Sequence, residues 1–281
     1  RSYQKQALQN FLLCWDQYRE SKVDNRYSFH MATGSGKTLI MASLILHFFK
    51  HGYRNFIFFV NSNNIISKTK SNFLDKNSSK YLFSEEINVD HSIVEIKESK
   101  ILTEDISSIN IIFTTIQGLH MDMNNPSEDN LDYDSFVDNR TVLISDESHH
   151  INADTKKRNK RDNVELIETP SWENTVEKVY SANSDNILLE FSATLDLDND
   201  EIKNKYIDSI IFDYPLKRFR EDGFSKEIKT VQFDTEKKSY SLLAILINHF
   251  RKKIFEKNRI NIKPVILFKS TCFLPPYIPF V

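Results

Sequence analysis

The sequence is poor in glycine, cysteine and tryptophan, with five glycines, two cysteines and two tryptophans in 281 positions. Cys14 and Cys272 lie far apart and lack the short spacing of metal ligands, so neither a zinc site nor a disulfide is indicated. The formal net charge of −2 means that a nucleic-acid partner would be held by local basic surface. The longest apolar run, residues 39–49, is too short to cross a bilayer. We therefore expect a cytoplasmic protein without a membrane partner.

Two of the five glycines stand in the segment M-A-T-G-S-G-K-T at residues 31–38. Gly34 and Gly36 lack the Cβ atoms that would keep phosphate oxygens away from the backbone. Lys37 adds a positive charge for the β- and γ-phosphates, and the Thr38 hydroxyl is a ligand for Mg²⁺. The longer pattern G-x-x-x-x-G-K-[ST] is missed at its first position, and an ordinary Gly-Ser loop before a helix is the alternative. The predicted ATP contacts are Thr33, Gly34, Ser35, Gly36, Lys37 and Thr38.

Short apolar runs alternate with helical or polar stretches along most of the chain. The runs predict strands at residues 27–30, 56–60, 93–96, 111–114, 142–144 and 187–191. Helical spacing of apolar residues predicts helices at residues 4–20, 39–49, 64–74 and 172–180. Strands that are apolar on both faces and alternate with helices favour a doubly wound α/β fold with a mostly parallel sheet. Ligands of such sheets bind at the carboxyl ends of the strands.

One predicted strand ends in two neighbouring carboxylates, Asp146 and Glu147, followed by His149 and His150. Nucleotide hydrolysis needs one acid that holds Mg²⁺ and another group that orients or deprotonates the attacking water. Asp146 fits the first task and Glu147 the second. A solvated acidic turn is the alternative, but the position about a hundred residues after a phosphate loop favours a nucleotide site. The two adjacent histidines project in different directions, so a zinc site is not expected.

Taken in order, A-T-G-S-G-K-T, D-E-S-H-H and the S-A-T of residues 192–194 resemble the first, RecA-like motor domain of DEAD/DEAH-like superfamily 2 helicases and translocases. The D-E-S-H-H sequence and the segments 59–66 and 214–217 are most similar to type III restriction enzyme Res subunits. This resemblance implies an ATP-dependent DNA motor that is paired with a nuclease. It also implies a modification methyltransferase as partner subunit.

The resemblance implies an adenine-reading motif at the start of the chain. Gln4 would pair with the adenine edge, since a carboxamide offers both a donor and an acceptor. Arg1 or Tyr3 would pack on the adenine ring. A polar start to the first helix is the alternative explanation of these residues.

Further roles follow from the resemblance alone. The residues that would contact the backbone of DNA, expected to be double-stranded, are Asn61, Ser62, Thr114, Thr115 and Gln117. Hydroxyl and amide groups at strand ends can bind phosphates without reading bases, although ordinary strand-end turns have the same composition. The residues that would couple the nucleotide site to the DNA-binding face are His149, His150, Ser192 and Thr194.

The sequence pattern changes after residue 214. We expect residues 1–214 to form the ATP-binding motor domain, and residues 215–270 to form a linker and the beginning of a second RecA-like domain. Within that part, residues 228–233 and 265–268 predict strands, and residues 240–255 predict an amphipathic helix. The proline-rich residues 271–281 fit neither element, which suggests a truncated or frame-shifted tail.

The second domain of the family supplies arginines that stabilise the transition state, so this chain is expected to bind ATP and to hydrolyse it poorly. Two other functions stay open, namely an RNA helicase of the same superfamily and a nucleotide- or nucleic-acid-binding remnant without turnover. The basic run at residues 154–162 is either a solvated loop or a contact for nucleic acid.

Overall fold

The structure is a computed structural model, and it describes residues 1–21, 25–103, 105–125, 131–146, 172–195, 203, 206–225 and 237–267. The chain divides into two compact units, Arg1–Lys226 and Glu227–Val281. Several sequence predictions lie outside the described residues, namely those on Glu147, His149, His150, the basic run at 154–162, the strand at 228–233 and the tail at 271–281.

The first unit is built around one eight-stranded sheet with the order β3-β4-β5-β2-β6-β7-β1-β8. Its strands are β1 (Arg26–Met31), β2 (Asn55–Val60), β3 (Ile87–Val89), β4 (Ser92–Glu98), β5 (Ser108–Thr115), β6 (Thr141–Asp146), β7 (Ile187–Ser192) and β8 (Ile210–Tyr214). Every neighbouring pair is parallel except β3 and β4, which form an antiparallel hairpin.

Helices cover both faces of the sheet. The helices of the first unit are α1 (Ser2–Ser21), α2 (Lys37–Lys50), α3 (Asn63–Leu74), α4 (Ile116–Asn124), α5 (Tyr133–Asp138), α6 (Trp172–Ser181) and α7 (Leu216–Glu221). One core layer contains buried residues of α1, α2 and α3, and the other contains buried residues of α4, α5 and α6. The predicted doubly wound α/β fold with a mostly parallel sheet is therefore confirmed.

The alternation of side chains along each strand explains why the runs are apolar throughout. In β2, Phe56 and Phe58 enter the layer with α1 and α2, whereas Ile57 and Phe59 enter the layer with α4 and α6. The strand is completely buried because both of its faces are covered. A strand of this kind can only sit in the middle of a sheet, which is where β2 lies.

The second unit is described in part. Its described part consists of α8 (Lys237–Lys257) and an extended segment that continues to residue 267. The predicted strand at 265–268 is wrong for the residues described there, because residues 265–267 form no strand and Val265 and Leu267 are 88% and 93% exposed. A strand needs a neighbour that pairs with its backbone, and this segment has no strand neighbour within the described part of the chain. The predicted amphipathic helix is confirmed as a helix, but its apolar residue Phe250 is 67% exposed.

None of the described helices combines the length and the apolar composition that a helix needs to cross a bilayer.

Candidate functional site

The sheet order brings most of the predicted site residues to one edge. The adjacent strands β5, β2, β6, β7 and β1 end at Thr115, Val60, Asp146, Ser192 and Met31. Because these five strands are parallel, their carboxyl ends share that edge. The proposed nucleic-acid contacts lie at the end of β5, just after β5 and just after β2, and the proposed nucleotide contacts follow β1 and end β6. The two groups are thus neighbours along one rim of the sheet.

The predicted phosphate loop turns sharply between β1 and α2. Gly34 and Gly36 have φ angles of 80° and 91°, which lie in the left-handed region that favours glycine. The backbone N–H of Ser35 donates to the carbonyl of Ala32 (3.2 Å), which closes the turn. Helix α2 begins at Lys37 without a side-chain cap, so its first N–H groups face out of the helix end. An exposed row of N–H groups with a positive dipole end is suited to an anion.

Two side chains of α1 bind the backbone of the phosphate loop. The Tyr3 hydroxyl (2.8 Å) and Gln4 Nε2 (3.0 Å) both donate to the carbonyl of Ser35. A Cβ atom placed on Gly36 would lie 2.3 Å from Gln4 Nε2, which is far inside van der Waals contact. Glycine is therefore required at position 36 both for the φ angle and for the close approach of Gln4.

Tyr3 does not offer an open ring face for adenine in this structure. Its ring is 4% exposed and stacks on Tyr214 at 4.4 Å between the ring centroids. The guanidinium of Arg1 is exposed and lies over the ring of Phe224. Of the two residues proposed to pack on the base, only Arg1 is exposed. Tyr3 instead contributes its hydroxyl to the position of the loop.

Tyr214 is hydrogen-bonded to the residue at which the phosphate loop begins. Its carbonyl accepts a hydrogen bond from the N–H of Ala32 (3.0 Å), and its hydroxyl donates to Asp222. Burial, together with the Asp222 carboxylate that accepts this bond, raises the pKa of Tyr214 above its ordinary value. The hydroxyl therefore stays protonated and remains a donor. Tyr214 was named among the sequence predictions only as part of the family resemblance, and this structural role was not predicted.

Asp146 lies on the side of the sheet that carries the phosphate-loop helix. It is laterally paired with Phe191, which is in turn paired with Phe29, and the two rings stack at 4.6 Å. Laterally paired residues of parallel strands point to the same face of a sheet. Phe29 and Phe191 belong to the core layer that also contains the buried side chains of α2. Asp146 and the helix that begins at Lys37 therefore share one face, as a common ligand would require.

A buried histidine that was not predicted as a site residue lies just before the loop. His30 Nδ1 lies 2.7 Å from Asp213 Oδ1, and this pair ties β1 to β8. His30 is also laterally paired with Ser192, whose hydroxyl accepts the backbone N–H of Thr194 (3.2 Å). The predicted coupling residues Ser192 and Thr194 thus share one turn, next to the strand that leads into the loop. A polar residue at the end of an apolar strand was the available sequence signal.

A second missed group lies one row further down the same face. The buried Glu190 accepts hydrogen bonds from the hydroxyls of Ser28 (3.2 Å) and Tyr206 (3.3 Å). Ser28 also lies 3.1 Å from the hydroxyl of Ser209. Buried polar groups are retained only where hydrogen bonds compensate for lost hydration. This network therefore links β1, β7 and the segment before β8.

The residues proposed to contact DNA meet at two neighbouring strand ends. Val60 is laterally paired with Thr115, so Asn61 and Ser62 follow β2 directly beside the end of β5. All of these side chains are partly exposed. Thr115 also has a structural role, because its hydroxyl accepts the N–H of Gly118 (3.0 Å) and caps α4.

We predict that Thr115→Ala lowers the free energy of unfolding by about 1 kcal/mol, because helix α4 loses its N-cap acceptor. Thr115→Ser keeps the acceptor and should retain most of the stability. Urea unfolding followed by circular dichroism measures both variants. Equal destabilisation by alanine and serine would exclude the cap as the source of the effect.

Comparisons with known proteins agree on one family. The sequence model described as "Type III restriction enzyme, res subunit" matches residues 1–197. The "Probable type III restriction-modification enzyme HindVIP Res subunit" of Haemophilus influenzae is 40% identical over 291 aligned residues, which cover 95% of this chain and 56% of that protein. This chain thus spans about half the length of that curated relative.

Two solved helicases have partial structural similarity to the chain. The UvsW helicase of bacteriophage T4 has a TM-score of 0.39 at 15% identity, over 69% of this chain and 55% of that chain. The DUF1998 helicase MrfA has a TM-score of 0.41 at 12% identity, over 92% of this chain and 42% of that chain.

Proposed function

The chain belongs to the family of type III restriction enzyme Res subunits, and from this premise we propose that it is the ATP-binding half of a DNA translocase or helicase motor. The observation that carries the proposal is the glycine turn between β1 and α2, which lies on the same sheet face as Asp146. The two glycines of the loop are left-handed, and the helix that follows begins at Lys37 without a side-chain cap. These features suit the binding of a triphosphate.

We assign the nucleotide contacts to the loop and the metal contacts to two oxygen ligands. The loop residues Thr33 to Thr38 would surround the phosphates, with Lys37 as the cation. The Thr38 hydroxyl and the Asp146 carboxylate would hold Mg²⁺, which prefers oxygen ligands. A Mg²⁺ ion held there would supply positive charge that offsets the negative charge on the phosphates. Glu147, which follows Asp146, would orient the attacking water and accept its proton.

The neighbouring strand ends would serve the nucleic acid. Asn61, Ser62, Thr114, Thr115 and Gln117 offer hydroxyl and amide groups beside the nucleotide site, which suits contacts to phosphates rather than to bases. Ser192 and Thr194 occupy the strand end between the proposed metal ligand and the loop. His149 and His150 follow Glu147 in sequence and would join this coupling group. A change at the nucleotide could thus reach the DNA contacts through directly neighbouring strands.

We further propose that slow hydrolysis is a property of this chain by itself. The transition-state arginines of such motors come from a second domain, and an arginine of this kind contributes a factor of about 10³ or more to the rate. From the family alone, we propose that the whole protein takes part in DNA cleavage and associates with a modification methyltransferase.

We predict that the purified chain binds ATP with Mg²⁺, hydrolyses it slowly, and responds to duplex DNA more than to single-stranded RNA. Isothermal titration calorimetry measures binding, and steady-state phosphate release with each nucleic acid measures turnover. Stimulation by RNA alone would favour an RNA helicase. Binding without any turnover in the presence of either nucleic acid would favour a nucleotide-binding remnant. A chain that binds no ATP would refute the nucleotide site itself.

A further inference from the structure

Phe224 is a half-exposed aromatic residue whose position is fixed by the end of α7. Gly223 has a φ of 77°, and its N–H donates to the carbonyl of Arg220. The N–H of Phe224 donates to the carbonyl of Phe219 (3.1 Å). This pattern is a Schellman motif, in which the residue after the glycine packs on the residue five positions earlier. The rings of Phe219 and Phe224 are indeed in contact, with centroids 5.8 Å apart. Phe224 is therefore held in one place although 39% of its surface is exposed.

The fixed ring of Phe224 carries the side chain of Arg1. The Arg1 Cζ atom lies 4.6 Å from the ring centroid, which is within the range of a cation–π contact. Arg1 Nη1 also lies 3.5 Å from the Tyr3 hydroxyl, and the Tyr3 ring meets Phe224 edge-on at 5.3 Å. A guanidinium is planar, so a ring on one face leaves the opposite face available for a second flat group. Arg1 is exposed, which agrees with an open outer face.

Gln4 stands beside this pair and retains hydrogen-bonding capacity. A carboxamide has two N–H donors and an oxygen with two lone pairs. One donor binds the Ser35 carbonyl (3.0 Å), and the oxygen accepts one bond from the backbone nitrogen of Arg1 (2.9 Å). One donor and one lone pair therefore remain. An adenine edge presents one amino donor and one ring-nitrogen acceptor, which is the complementary pair.

We infer that Phe224 is a positioning residue for recognition of the nucleotide base. It holds the Arg1 guanidinium flat, so that the outer face of Arg1 stacks on adenine while Gln4 pairs with the adenine edge. This inference rests on the proposed binding of ATP at the loop. It adds a residue that lies some two hundred positions from the phosphate loop and that no sequence motif of the nucleotide site contains.

The test compares a ligand that has the base with one that lacks it. Phe224→Leu keeps an apolar side chain in the Schellman contact but removes the aromatic face, whereas Phe224→Tyr keeps the face. Titration calorimetry with ATP·Mg²⁺ and with tripolyphosphate·Mg²⁺ should show that Phe224→Leu weakens ATP binding about fivefold and leaves tripolyphosphate binding unchanged. Phe224→Tyr should bind both ligands like the unmodified chain.

A double-mutant cycle identifies the route of the effect. If Phe224 acts through Arg1, then Arg1→Met should weaken ATP binding by a similar factor, and Phe224→Leu should add nothing in that background. Full additivity, equal weakening of ATP and tripolyphosphate, or an unchanged ATP affinity in Phe224→Leu would each overturn the inference. An unmodified chain that binds neither ligand would overturn the proposed function, and the inference with it.

Discussion

Lys37→Ala is expected to weaken ATP binding by a factor of about 30 to 150, whereas Glu147→Gln is expected to preserve binding and to lower any hydrolysis by a factor of about 10³. A charged group that binds a phosphate contributes about 2–3 kcal/mol, which corresponds to the first range. A group that accepts a proton from the attacking water contributes about 10²–10⁴ to the rate and little to ground-state affinity. The two substitutions thus separate the binding of ATP from its hydrolysis. Titration calorimetry measures the binding, and phosphate release measures the hydrolysis.

Helix α2 offers a matched control for the lysine. Lys50 ends the helix that Lys37 begins, and it forms an exposed ion pair with Asp90 (3.1 Å). Exposed pairs of this kind contribute about 0–1 kcal/mol, so Lys50→Ala should leave ATP affinity unchanged. Comparable losses of affinity in Lys37→Ala and Glu147→Gln would contradict the assigned roles. A loss in Lys50→Ala would show that the effect is one of general charge rather than of a phosphate contact.

Gly36→Ala should damage the loop more than Gly34→Ala, although both glycines have similar φ angles. A non-glycine residue in the left-handed region costs about 1–2 kcal/mol at either position. At position 34 the added Cβ meets nothing within 4 Å, so this conformational cost stands alone. At position 36 it displaces Gln4, and the lost bond to Ser35 adds about 1 kcal/mol. We expect ATP affinity to fall at least about tenfold further in Gly36→Ala, because the Cβ also hinders the approach of phosphate.

The contribution of Gln4 can be isolated by removing it. In a Gln4→Ala background the clash at position 36 is absent, so the two alanine variants should have equal free energies of unfolding. Chemical denaturation of the four proteins measures the difference. If Gly36→Ala stays less stable than Gly34→Ala in the Gln4→Ala background, the contact with Gln4 does not explain the effect.

The central strands could be predicted from sequence because burial on both faces leaves an unmistakable composition. Five of the six residues of β2 and four of the six of β7 are apolar, and both strands are completely buried. β8 was not predicted, because only Phe212 and Tyr214 of its five residues are buried and the short run lacks a clear period. Its place beside β1 depends on a pairing of residues that lie far apart in the chain. Local patterns contain no information about such a pairing.

The strand predicted at 93–96 lies within β4, but its hairpin with β3 was not predicted, for a different reason. Asp90 and His91 form its two-residue turn with φ angles of 47° and 68°, as a type I′ turn requires. The usual signal for this turn is Asn-Gly or Asp-Gly, and Asp-His is an uncommon substitute. Asp and His nevertheless occur in the left-handed region more often than most residues.

The site shows the same division between local and distant information. The phosphate loop could be predicted from the sequence because its glycines and its lysine lie within eight consecutive residues. The contacts of Tyr3 and Gln4 with Ser35 bridge more than thirty residues and emerge only from the packing of α1. The pairs of His30 with Asp213 and of Ser28 with Glu190 bridge still greater separations. Side chains that support a motif from distant parts of the chain produce no recognisable sequence pattern near the motif.

The position of β8 has a practical consequence for anyone who shortens this protein. β8 is the last strand at its end of the sheet, and it covers the flank of the strand that enters the phosphate loop. A fragment that stops before residue 209 would leave β1 as a bare edge, open to pairing with strands of other molecules. A fragment that stops at residue 214 would keep β8 but would lose the rings of Phe219 and Phe224 that pack on Tyr3. Expression boundaries for the nucleotide-binding half therefore belong beyond Phe224.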